Sequence, residues 1–139
     1  APAVGMAVNE KGDGYWLVAQ DGGIFSFGNV PFHGSTGNLK LNQPVFDMAP
    51  TAGDKGYWLL AKDGGLFSFG DANDKFAGSG VGSVSGTAIG IGTTTTTNGY
   101  WIADSRGAVF AFGDARWLGD RRGSANNAAT VGFATVPKK

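Results

Sequence analysis

The chain has 139 residues, 42% of them hydrophobic and only 16% charged, with 11 basic residues against 11 acidic ones. A chain of zero net charge lacks the basic face that a phosphate backbone or an anionic membrane requires, and a chain with no cysteine has no disulfides, thiolate metal sites or cysteine nucleophile. Glycine, at 25 residues, disfavours long helices and favours many turns. No apolar run approaches the roughly 18 residues of a membrane span, so no membrane insertion is expected.

In chain order, the pattern is a repeat. Val4 to Val8 reads as a first short strand, segment a, and Tyr15 to Ala19 as a second, segment b. Ile24 to Phe27 reads as segment c, and Phe32 to Ser35 as segment d. The b–c link, Gln20-Asp21-Gly22-Gly23, is a hairpin signal. In segment b, Tyr15, Leu17 and Ala19 oppose Trp16 and Val18, and in segment c Phe25 and Phe27 oppose Ile24 and Ser26. Both faces are rather apolar, so the sheets are expected to be covered on both sides.

The unit then recurs. Gly14-Tyr15-Trp16-Leu17 returns as Gly56-Tyr57-Trp58-Leu59 and as Gly99-Tyr100-Trp101-Ile102, at spacings of 42 and 43 residues. Met6, Met48, Ile91 and Phe133 mark segment a at spacings of 42, 43 and 42. The organisation expected is one repeat domain over 1–139: repeat one 1–43, repeat two 44–86, repeat three 87–128, and the leading strand of a fourth at 129–139. Four-stranded antiparallel units of this length are expected to be β-propeller blades. Since propellers have roughly four to eight blades, three would close as a six-bladed homodimer or belong to a longer array. The alternative all-β fold is a monomeric β-trefoil, which accommodates three such repeats in one chain.

The units resemble a repeat of secreted actinobacterial proteins with a consensus close to Gly-Tyr-Trp-Leu-Val-Ala-Ser-Asp-Gly-Gly-Val-Phe-Ser-Phe-Gly-Asp-Ala. Gly14 to Asn29 and Gly56 to Ala72 match it nearly residue by residue. Gly99 to Ala115 departs from it with Arg106 and Ala108 in place of the Asp and the second Gly. The resemblance implies a propeller-like fold and secretion or surface display, and it transfers no catalytic residue. The start Ala1-Pro2-Ala3 is compatible with a mature end left by signal-peptide removal and equally with a cloned fragment.

Candidate ligand-binding residues are Trp16, Trp58 and Trp101, which recur with the repeat, and the charged cluster around Trp117, namely Arg116, Asp120, Arg121 and Arg122. An indole face can stack on a pyranose, and it can equally serve packing between blades. His33 is the only histidine, and Ala77 and Leu118 stand at its place in the other repeats, so a catalytic site built on it would not recur. It is expected to be an exposed strand residue. Asp71, Asn73 and Asp74 offer closely spaced oxygens, as do Asp13, Asp54 and Asn98. These match turn chemistry better than a calcium loop, and neither metal nor cofactor is expected. The expectation is a non-enzymatic, multivalent, lectin-like module for cell-wall or surface glycans. A structural or adhesion scaffold that binds protein comes second, and a glycan hydrolase is the weakest reading.

Overall fold

The computed structural model describes residues 1–120, and these form nine strands in three sheets, one sheet per repeat. Repeat one supplies β1 (Ala3–Val8), β2 (Gly14–Ala19) and β3 (Ile24–Gly28). Repeat two supplies β4 (Val45–Pro50), β5 (Gly56–Ala61) and β6 (Leu66–Gly70). Repeat three supplies β7 (Ala88–Thr93), β8 (Gly99–Asp104) and β9 (Val109–Gly113). Each sheet is an antiparallel meander with its b strand in the middle. The b–c hairpins close because Gly22, Gly64 and Gly107 hold φ values of 81°, 88° and 83°, a region in which an L side chain is strained.

The all-β expectation is met, but the units expected to have four strands have three. Segment d, at 32–35, 76–79 and 117–120, is not a strand. Its backbone cannot run extended beside segment c, because Gly34, Gly78 and Gly119 take φ values of 127°, 120° and 104°. Its hydrogen bonds go elsewhere. Thr36 N–H donates to Gly22 O at 3.2 Å and Gly80 N–H to Gly64 O at 2.8 Å, which anchors the end of d on the hairpin of its own repeat. The middle of d is held by the next repeat, as described below. The leading strand expected at 129–139 lies outside the described residues.

The register defines two faces on every sheet. In the first, Val8, Tyr15 and Phe27 form one cross-strand row and Met6, Leu17 and Phe25 the next; this is the tyrosine face. On the opposite, tryptophan face, Trp16 lies between Ala7 and Ser26, with Val18 beside Ile24. Small residues flank each indole, and Trp58 likewise sits between Ala49 and Ser68, and Trp101 between Gly92 and Ala111.

The tryptophan face of one sheet packs on the tyrosine face of the next. One core cluster joins Trp16, Val18 and Ile24 of the first sheet to Met48, Tyr57 and Leu59 of the second. The other joins Trp58 and Leu60 to Ile91, Tyr100 and Ile102. Full burial of an aliphatic or aromatic side chain of this size contributes about 1.5–3 kcal/mol, so these two clusters are the main cohesive element. The first strands of the three sheets, the inner strands, lie side by side in chain order, β1 against β4 and β4 against β7. Val45 N–H donates to Gln20 O at 2.9 Å and Ala88 N–H to Lys62 O at 2.8 Å, adding one backbone tie per junction. Strands of different repeats do not pair into a common sheet, so the barrel closure of a trefoil is absent among the described residues.

Every inner strand slips register at the same place, between Ala3 and Gly5, Val45 and Asp47, and Ala88 and Gly90. Such bulges leave a backbone group out of the ladder. Asp47 sits at one of them. Its carboxylate accepts from Met48 N–H at 2.9 Å and, across the junction, from Ile91 N–H at 3.1 Å.

Candidate functional site

Segment d is positioned by a phenol. Tyr57, fully buried, accepts a hydrogen bond from His33 N–H at 3.0 Å and donates its O–H to Gly34 O at 2.6 Å. Tyr100 does the same for the next segment, accepting from Ala77 N–H at 2.9 Å and donating to Gly78 O at 2.5 Å. Burial pushes both phenols above the ordinary tyrosine range. A side chain at Gly34 would run into the Phe69 ring, and one at Gly78 into Phe112. The clamp is therefore a tyrosine, a phenylalanine and a glycine repeated at each junction. His33 belongs to it. It is half-buried, outside any strand, with its ring 5.4 Å from that of Tyr57 and Nε2 2.7 Å from Asp54 O. The expectation of an exposed strand residue does not hold, because the neighbouring sheet covers it.

Each d segment, clamped or not, leaves one ring outside. Phe32, Phe76 and Trp117 occupy the same place in the three repeats and are 59%, 48% and 55% exposed. Trp117 is fixed at its edge, where Nε1 donates to Val109 O at 2.8 Å. Asp120 Oδ2 accepts from Val109 N–H at 3.0 Å, and Trp101 Nε1 donates to Arg116 O at 2.8 Å. The structure thus brings Trp101, Arg116, Trp117 and Asp120 together on the third sheet, while Arg121 lies outside the described residues.

Trp16 and Trp58 stand apart from this cluster and are fully buried, the packing role of the two that their recurrence allowed. Trp16 Nε1 donates to Pro31 O at 2.8 Å. Trp58 Nε1 finds no partner among the described residues. There the run after β6 differs from its counterparts, with a 3₁₀ turn at Asp71–Asn73 and Ala72 buried under it. Phe32 and Phe76 are the site residues that sequence reasoning passed over. Their signal was present in the aromatic that opens every d segment.

A second concave feature lies where the inner strands end. A groove of about 390 Å³ is lined by Val8, Glu10, Pro50, Thr51, Asp54 and threonines of the 93–97 run. Its oxygens are largely engaged in turn chemistry. Thr51 donates to Asp71, Thr94 donates to Asp114 at 2.7 Å, Thr97 accepts from Ala52 N–H at 3.0 Å, and Asp54 accepts from Asn9 at 3.2 Å. The Thr96 and Thr94 hydroxyls hold the Asp114 carboxyl below the ordinary range, and Asn9 and Asn29 do the same for Asp13. Among the described residues, no group of three or more histidine, cysteine, aspartate and glutamate side chains is placed to hold a metal ion. No helix among them is long and apolar enough to cross a membrane.

No protein-family model matches the chain, and no curated protein matches it.

Proposed function

We propose that the chain is a non-enzymatic, multivalent carbohydrate-binding module whose repeats are blades of a propeller-like array acting outside the cell or at its surface. The observation that carries this reading is the exposed ring on every repeat, Phe32, Phe76 and Trp117. Phe32 and Phe76 stand on d segments whose backbone the next sheet holds, and Trp117 is held at its own edge by Val109, so little conformational entropy is lost when a sugar face stacks on them. Stacking on an aromatic ring contributes roughly 0.5–1.5 kcal/mol beyond area burial between rings, which is weak at one site. Several equivalent sites on one rigid body gain avidity from geometry. Arg116 and Asp120 beside Trp117 supply donors and acceptors for ring hydroxyls. The side-by-side sheets joined through their inner strands support the blade reading. The resemblance to repeats of secreted actinobacterial proteins supports the location.

The test is a glycan array of cell-wall and surface polysaccharides, followed by calorimetric titration. Wild type is expected to retain a glycan, Trp117→Ala to weaken it several-fold, and the triple variant Phe32→Ala/Phe76→Ala/Trp117→Ala to abolish retention. Retention unchanged in the triple variant, or no glycan retained by wild type, removes the reading. Turnover of a glycan that a single Asp→Asn change abolishes would mark a hydrolase instead. The second reading, a scaffold that binds protein, is favoured by the open apolar face of the first sheet and predicts a protein ligand with no glycan bound.

A further inference from the structure

The described residues contain one tyrosine face with nothing on it. Tyr57 and Tyr100 are 0% exposed and Tyr15 is 38% exposed; Met48 and Ile91 are 4% and 7% exposed and Met6 is 53% exposed. Val8, Phe25 and Phe27 complete the uncovered rows. Large apolar patches of this kind mark association surfaces. Tyr15 stacks on Phe27 at 5.2 Å and holds no d segment among the described residues.

The complementary half is at the other end. Leu118 and Gly119 occupy the positions of His33-Gly34 and Ala77-Gly78. Gly119 already has the left-handed backbone of its counterparts, at φ 104° against 127° and 120°. At those counterparts an added Cβ meets a phenylalanine ring within 2.7 Å and 3.2 Å, but at Gly119 it meets none of the described residues within 4 Å. Leu118 is 79% exposed, and Trp101, on the last tryptophan face, is only half-buried where Trp16 and Trp58 are fully buried. Among the described residues the tongue is formed and unclamped, and the clamp of Tyr15 and Phe27 is formed and empty.

We propose that the first sheet of one copy of this chain receives the third sheet of a second copy, the Tyr15 phenol taking the Leu118 N–H and the Gly119 carbonyl. The occupant follows from continuity. The chain makes this same junction twice internally, and its two unused halves are those of the third. The contact is head-to-tail, so it closes into a ring only if the rotation permits. Two copies of three blades give six, within the range at which propellers close. The proposal rests on the blade reading and carries it to a partner, and it leaves Phe32, Phe76 and Trp117 outside the junction, as the internal junctions leave the first two.

The test is solution mass by size exclusion with light scattering over a dilution series, on wild type and on Tyr15→Phe and Phe27→Asp. Wild type is expected at twice 14.2 kDa. Tyr15→Phe should raise the dissociation constant about tenfold or more, and Phe27→Asp should give a monomer with an unchanged far-ultraviolet dichroism spectrum. A wild-type monomer throughout the series, or a dimer indifferent to both substitutions, overturns the proposal. The blade reading is tested apart from it, by the loss of stability in Tyr57→Phe. That loss with a monomeric wild type would keep the blades and remove the second copy.

Discussion

Tyr57→Phe removes one oxygen and leaves the ring. The ring contacts with Trp16 at 5.9 Å, His33 at 5.4 Å and Phe69 at 5.8 Å are retained, so the change isolates the two hydrogen bonds to His33 N–H and Gly34 O. A protein hydrogen bond nets roughly 0.5–1.5 kcal/mol, and a buried partner left unpaired costs roughly 1–3 kcal/mol. Segment d is half-buried at both residues, so water relieves part of the penalty, and the expected loss is about 2 kcal/mol. Tyr100→Phe should cost the same through Ala77 and Gly78. Tyr15→Phe, measured at concentrations where the chain is monomeric, should stay within about 0.5 kcal/mol of wild type, as surface changes do. The assay is urea unfolding followed by tryptophan fluorescence and dichroism. With a slope of about 1.5 kcal/mol/M, a 2 kcal/mol loss moves the midpoint by about 1.3 M. A fall in the slope instead would mean that one sheet parts from its neighbour before the rest unfolds, as nearest-neighbour repeat arrays permit. Losses below about 0.5 kcal/mol at both Tyr57 and Tyr100, or an equal loss at Tyr15, would refute the clamp.

Two further changes probe the junction and the third hairpin. Burial raises the Asp47 carboxyl above the ordinary range. The folded state therefore holds that proton more tightly than the unfolded chain, and stability falls as pH climbs from the ordinary carboxylate value to the raised one. Asp47→Asn has no proton to exchange and keeps one acceptor oxygen for the two N–H groups. It should therefore remove the fall across that window, its stability relative to wild type rising with pH, as read from melts across the acid range; a pH-independent difference would refute the argument. Asp104 is fully buried and pairs with Arg106 at 2.8 Å. Burial raises its carboxyl, and the Arg106 side chain with the N–H groups of Ser85, Arg106 and Ala108 outweighs this, so the net direction is down. Its contribution is present above the ordinary carboxylate range and lost as pH falls through the depressed value. Asp104→Ala should cost about 2 kcal/mol, because the N–H groups of Ser85, Arg106 and Ala108 lose their acceptor while the half-exposed Arg106 stays solvated. Asp104→Ala/Arg106→Asp should recover most of it in chemical denaturation, because that pair restores the Ala and Asp of the other hairpins, where Asp21 and Asp63 each accept a glycine N–H at 2.9 Å. No recovery would show that the hairpins are not interchangeable.

Strands a, b and c were legible in the sequence because alternation and hairpin glycines act locally, over two to six residues. Their two-sided apolar pattern also announced sheets covered on both faces, which holds for the middle sheet and not for the first, whose tyrosine face is exposed. Segment d was misread as a strand because its conformation is set from outside the repeat. Phe32 to Ser35 has the composition of a strand, but the atoms that hold it belong to Tyr57, a residue 24 positions away from His33. Trp16 and Trp58 carried two possible roles, and only burial separates a stacking platform from a packing wedge. The charged cluster at Trp117 was legible as an exposed patch. That Asp120 and Trp117 both bond to Val109 depends on how the chain turns back after β9, which composition does not encode.

Recurrence in such a chain is an ambiguous signal, because a junction made twice demands recurring residues whether or not a ligand exists. Tyr57 and Tyr100, Phe69 and Phe112, and Gly34 and Gly78 recur because each junction needs all three. Phe32, Phe76 and Trp117 recur without that reason, since the two internal junctions close behind Phe32 and Phe76 and leave those rings in water, and Trp117 is exposed where no junction forms among the described residues. Their exposure costs apolar hydration in every repeat, and three polar residues there would leave the clamp intact. Recurrence and exposure together, more than either alone, therefore select these rings as the place to look for a ligand. The same reasoning separates the first sheet's open face, whose counterparts in the other two repeats are covered. Its exposure is a missing junction, so it is expected to disappear on association, whereas the three rings are expected to stay exposed after it.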